Sequence, residues 1–189
     1  MKEVGIAFMP ALVRRIVAGQ KVVTRRIKKP SVKVGDRIWL REPWKTEACL
    51  DGYSGSEIVE SYHEIVEDLS GAHPGPPVLY LADESRRDWW GEPGRYRQAR
   101  FLPRALARPW RGEVVSVEWV PAPPEGIDDD EAIREGTCAV TDAPLPWMPW
   151  TLDGQRWAAT PRAAFLAGWN ALHDDAVTCW RIEWREVAR

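Results

Sequence analysis

A small β-barrel or α+β domain is the fold class that this sequence predicts. Three observations point there: several short runs alternate polar and apolar residues, the helical patterns are few and short, and Pro and Gly separate them. The chain of 189 residues, 44% apolar and 29% charged, suits one domain of ordinary size with a real core. Its 12 Trp and 16 Pro favour a Trp-anchored, loop-rich fold over a helical bundle.

The elements follow in order. Residues 10–18 (PALVRRIVA) place Leu12, Val13, Ile16 and Val17 at helical spacing, with the basic side outward and Gly19 as C-cap. Residues 21–27 are β-branched and basic, reading as a strand or extended turn, and Pro30 breaks the chain. Gly35-Asp36 predicts a tight turn into a half-buried strand over 37–42. The stretch 45–98 is acidic and rich in Gly, Pro and Ser, with one strand at 78–81, and reads as a long insertion in a single domain of residues 1–189. The clearest strand is 112–120. Acids at 128–131 open a helix that stops at Gly136. After a Pro- and Trp-rich loop at 144–150, residues 161–173 form an amphipathic helix with Phe165, Leu166, Trp169 and Leu172 along one side. A last strand spans 178–187. The N-terminal helix and the strands at 37–42, 112–120 and 178–187 are expected in one barrel.

Composition narrows the function classes. No window approaches the ~18 apolar residues of a membrane span, and no apolar signal core opens the chain. A cytoplasmic monomer without membrane contact is expected. The three cysteines are far apart and the three histidines form no HxH or HxxxH pair, so neither a disulfide framework nor a metal site is expected.

The net charge of −2 hides segregation. Residues 14–41 hold ten Lys or Arg and one acid, residues 42–92 hold twelve acids and three basic residues, and residues 93–112 hold six Arg and no acid. Two readings stand side by side. The basic blocks, including Arg25, Arg26, Arg37, Arg41, Arg104 and Arg108, line one phosphate-facing cleft, or acidic and basic stretches neutralise each other across the fold. The pI near 6.0 argues against a purely charge-driven DNA binder.

Twelve tryptophans raise a second pair of alternatives. Trp39, Trp44, Trp110, Trp147 and Trp150 lie in or beside basic or Pro-rich segments and suit either base stacking or loop anchoring. Trp119, Trp169, Trp180 and Trp184 occupy periodic apolar positions and are expected in the core.

Amide hydrolysis needs a nucleophile, a group to remove its proton and an acid for the leaving amine. Thr24 supplies a hydroxyl, Lys21 a base if its surroundings lower its pKa, and Glu135 a carboxylate to orient the lysine or shuttle the proton. A spacing of three puts Lys21 and Thr24 on opposite faces of a regular strand but on one face of a turn, so residues 20–24 must be turned or bulged. Each residue also has a plain structural reading: solvated lysine, strand threonine, helix-end carboxylate.

The order of motifs resembles the ASCH domains of the PUA-like superfamily, especially ASCH-like proteins of phages and prophages. G-x-K-x-x-T-R-R spans 19–26, G-D-x-I-W-L-R-E-x-W spans 35–44 and P-R-A-x-x-R-x-W spans 103–110. D-E-A-I-x-E-G spans 130–136, W-N-A-L spans 169–172 and W-R-I-E-W spans 180–184. The resemblance implies a small β-barrel with flanking helices. One branch of the family is an N4-acetylcytidine amidohydrolase, and its pattern places the catalytic group on Lys21, Thr24 and Glu135, with Arg26 at a matching basic position. It implies no cofactor, and a modified nucleoside as substrate. A non-catalytic module for RNA, single-stranded nucleic acid or a modified base, and an ASCH-type ribonuclease, are the alternatives. This chain departs from the branch in its near-doubled length and its acidic insertion.

Overall fold

The computed structural model describes residues 1–46, 48–60, 78–83, 94–139, 150–152, 156–173 and 175–187. They divide into two compact units, Met1–Val4 with Ala11–Ile38 and Trp110–Arg189, and Gly5–Pro10 with Trp39–Pro109. The architecture is mixed α+β.

In chain order, β1 (Glu3–Ala7) leads into α1 (Pro10–Val17), β2 (Val23–Arg26) and β3 (Arg37–Arg41). After the second unit come β6 (Gly112–Pro121), α2 (Asp129–Arg134), α3 (Pro161–His173) and β10 (Thr178–Glu186). The five long strands form one sheet in the order β1-β3-β6-β10-β2. Strand β10 runs antiparallel to both neighbours, and its pairing with β6 slips at Glu183/Trp184. Strands β1 and β2 are the edges of this sheet, and no pairing among the described residues closes it into a barrel.

The predicted helices and strands are present with small shifts at their ends. Asp36 does more than make a turn: its carboxylate accepts the backbone N–H groups of Lys2, at 2.9 Å, and of Lys33, at 3.1 Å. The Lys2 N–H is the chief reason its pKa lies below the usual carboxylate range.

The core of the first unit lies between α2, α3 and the sheet, where Ile127, Ala132, Phe165, Trp169 and Cys179 are buried together. Four expectations change here. Arg15 points inward from α1, donating to the carbonyls of Gly136, Thr151 and Leu152. Leu172, expected on the buried side of α3, is 66% exposed. Val17 and Trp119 are also exposed.

Much of the stretch 45–98 lies outside the described residues, but those described in the second unit form elements that its acidic composition does not predict. Strand β4 (Trp44–Lys45) pairs antiparallel with β5 (Leu79–Tyr80), the strand expected at 78–81. Ser54 and Glu57 form a reciprocal capping box at the start of the helical residues 55–60. Trp39, Trp44, Ile58, Leu102 and Leu106 form its core. Gly5 lies against the Trp39 ring, and a Cβ there would fall 2.6 Å from a ring carbon. Gly5→Ala is therefore expected to destabilise the second unit by about 1–3 kcal/mol, as overpacking typically does, read as a lower urea midpoint with Trp39 less protected.

Small strands β7 (Cys138–Ala139), β8 (Trp150–Thr151) and β9 (Trp157–Ala158) form a three-stranded sheet in that order. Most of the 144–150 loop, Trp147 included, lies outside the described residues.

Candidate active site

Two helix ends build the site. At the end of α1, Gly19 has φ +72° and its N–H bonds to Ile16 O, while Gln20 N–H bonds to Arg15 O. At the end of α2, Gly136 has φ +98°, its N–H bonds to Ile133 O, and Thr137 N–H bonds to Ala132 O. Both are Schellman motifs, which need a left-handed residue at that position and so favour glycine. Each turn redirects the chain within one residue, delivering Lys21 after the first and leaving Glu135 as the C-cap of the second. The two ends are tied together because Val22 N–H donates to Arg134 O at 3.0 Å. A Cβ on Gly136 would stand 3.0 Å from Lys21 Cδ, so the close approach also requires glycine.

Lys21 precedes β2 and is 1% exposed. Its ammonium donates to Val23 O, to Glu135 O and, at 3.1 Å, to Glu135 Oε2. The other oxygen of Glu135 accepts from Arg25 Nη1 at 2.6 Å. Burial lowers the Lys21 pKa below that of a solvated lysine, and Arg26 and Arg25 act in the same direction, while Glu135 opposes them. Three acceptors around one nitrogen are what an ammonium, with three protons, can satisfy. The resting pair is therefore ionic.

A second acid extends the cluster. Glu131 bonds to Arg25 at 3.1 Å and to Arg181 at 2.6 Å. Burial would favour its neutral form, but Arg181, Arg25 and Arg134 prevail and hold its pKa below the usual glutamate range.

Register places the remaining candidates. Thr24 lies opposite Ile182, and Arg25 opposite Arg181. Cross-strand partners share a face and neighbours along a strand alternate, so Thr24 and Arg26 share a face with Trp180 and Ile182, away from Arg25. Thr24 is buried in the sheet and is not among the partners of Lys21. Lys21 reaches that face at its edge: its Nζ lies 6.0 Å from the Trp184 ring, which alternates onto the side of Ile182. The structure thus brings Lys21 to Glu135, and holds Thr24 on the adjoining strand.

The remaining basic and aromatic candidates have other partners. Arg25 is turned inward onto Glu131 and Glu135, which favours the neutralisation reading for this residue. Arg37 is exposed at the start of β3. In the second unit, Arg108 pairs with Glu42 and Asp83. There too, Arg41 and Arg104 lie over the Trp39 ring, at 5.0 and 5.8 Å. The stacking expectation is corrected at Trp44, which is fully buried in the second unit's core, and at Trp39, covered by Gly5 and two arginines. Trp110 is buried edge-on against Trp184 in the first unit.

Sequence reasoning missed the aromatic pair that does reach solvent. Trp119 and Trp180 meet at 5.0 Å between ring centroids, and Trp119 is 53% exposed. Strand alternation assigns them one face but does not say whether that face is covered. Among the described residues, no group of three His, Cys, Asp or Glu is placed to hold a metal ion, and no helix is long and apolar enough to cross a membrane. No family model, curated protein or solved structure matches the chain.

Proposed function

We propose that this chain is an ASCH-type hydrolase, with a PUA-like barrel as its underlying fold, that cleaves the acyl amide of an N4-acylated cytidine. The observation that carries the reading is the Lys21–Glu135 pair, 3.1 Å apart at the edge of the strand that bears Thr24. Those are the three positions at which the motif resemblance puts the chemistry.

In this reaction Glu135 accepts a proton from Lys21, helped by the burial that lowers the lysine pKa. The neutral amine then takes the proton of Thr24 Oγ as that oxygen attacks the acyl carbon. Arg26, on the same face as Thr24, stabilises the oxyanion. The C–N4 bond breaks, Lys21 returns the proton to the leaving amine, and the acyl group stays on Thr24 as an ester. Water then hydrolyses the ester, regenerating the hydroxyl and releasing the carboxylic acid.

A binding module without chemistry is the second reading, and it also has an observation in its favour: all three ammonium protons of Lys21 are engaged, and the group is withdrawn from solvent. Turnover of N4-acetylcytidine and a panel of acylated nucleosides by the purified protein separates the two. Lys21→Ala and Thr24→Ala are each expected to lower kcat/KM by about 10²-fold or more, with unchanged circular dichroism. A folded wild type without turnover, or with turnover indifferent to both substitutions, removes the hydrolase reading.

A further inference from the structure

Within the first unit, β6 and β10 place two indoles beside each other on the sheet face that bears Thr24. Trp180 lies opposite Arg26 on one side and Trp119 on the other, and Ile182 lies opposite Thr24 and Val117. Thr24, Arg26, Trp180 and Trp119 therefore share one face, in adjacent rows of the sheet. The indoles are tilted by 56° with centroids 5.0 Å apart. That spacing leaves no room for a third ring between them, which needs roughly twice the ~3.5 Å contact distance between stacked atoms. Any flat ligand must lie on the outer face of Trp119, the more exposed ring. Trp180 has two neighbours at its ring: Lys29 Nζ at 5.7 Å and the Trp119 indole at 5.0 Å.

An exposed indole in a sheet is unremarkable alone, but a paired one with a fixed tilt is a preformed stacking surface. Trp119 is two strands across and two residues along from Thr24, about 12 Å between Cα atoms by strand geometry. The indole pair and Thr24 thus lie along one face of the same three strands.

We infer that Trp119, buttressed by Trp180, is the subsite that stacks the pyrimidine ring of the substrate and presents its exocyclic amide toward Thr24. This inference rests on the proposed hydrolase reading for the orientation of the ring, but not for the stacking itself. Trp119 acts as a positioning residue: it holds the base and takes no part in bond making. Stacking is tolerant of the base's edge, so unmodified cytidine binds on the same ring with similar geometry.

The experiment measures binding separately from turnover. N4-acetylcytidine, cytidine and cytidine 5′-monophosphate are titrated by calorimetry into wild type, Trp119→Ala and Trp119→Phe, and turnover of N4-acetylcytidine is measured in parallel. Trp119→Ala is expected to raise Kd for all three ligands by about 10-fold or more, while Trp119→Phe retains most of the affinity. KM should rise with kcat little changed, since the chemical groups are intact. Trp119 is 53% exposed, so both variants are expected to keep the fold, with circular dichroism as the check. Wild type that binds none of the three ligands overturns the subsite, as does Trp119→Ala with unchanged Kd. Binding that depends on Trp119 in a protein without turnover upholds the subsite and removes the hydrolase reading instead.

Discussion

Glu135→Ala is expected to lower folding stability by about 3–5 kcal/mol, the scale on which removing one partner of a buried ion pair acts. The carboxylate is the shared anion of Lys21 and Arg25, and all three side chains are 3% exposed or less. Without it Lys21 keeps only two carbonyl acceptors, and Arg25 keeps Glu131 and the Gly126 carbonyl. Lys21 is then left without a counter-charge, and Arg25 shares Glu131 with Arg134 and Arg181. Glu135→Gln should cost less, because the amide oxygen still accepts one hydrogen bond. Adding Lys21→Met to Glu135→Gln should recover part of the loss, since an apolar side chain of similar volume needs no counter-charge. Urea unfolding at neutral pH, compared at constant m, reads all three. A Glu135→Ala midpoint within about 1 kcal/mol of wild type would show that water reaches the cluster and solvates it. Any assay of Glu135 variants for activity must be read beside this stability measurement.

The parts of the fold that were legible in the sequence are those with local causes. Gly19 and Gly136 announce helix ends because only a left-handed residue closes a Schellman turn, and those two turns are what bring Lys21 to Glu135. The strands at 37–42, 112–120 and 178–187 show in period-two patterning. What was not legible depends on partners far away in the chain. Arg15 reads as an outward base on α1, yet its carbonyl acceptors lie more than 120 positions later. Trp44 looks like a free aromatic in a basic segment until Tyr80 of β5 pairs with it from far along the chain. Trp119 fits a core pattern, but alternation specifies a face and not its cover. The charge blocks kept two readings open for the same reason, since segregation along the chain says nothing of which acid meets which arginine. Arg25 and Arg108 meet theirs inside the protein.

Arg108→Met should lower the stability of the second unit by about 3–5 kcal/mol near neutral pH. Glu42 is completely buried there, and both of its carboxylate oxygens accept from Arg108. The guanidinium also pairs with Asp83 at 2.9 Å and lies 4.3 Å from the Tyr80 ring. Burial already raises the Glu42 pKa above the usual glutamate value, with Arg108 opposing it and Asp83 adding to it. Removing Arg108 takes away the opposing charge and drives that pKa further up. A carboxylate with a raised folded pKa destabilises the fold above that pKa and stops doing so once protonated. The deficit of Arg108→Met against wild type should therefore be largest at pH 7 and shrink as the pH falls and Glu42 takes up a proton. Glu42→Gln in the Arg108→Met background should remove most of that pH dependence, because a neutral amide then stands where the fully buried carboxylate was. Urea midpoints of wild type and both variants at pH 7 and pH 5 test the chain of causes. A deficit equal at the two pH values would mean that Glu42 is not the group left unpaired, and that Arg108 stabilises through its packing on Tyr80 and its pairing with Asp83.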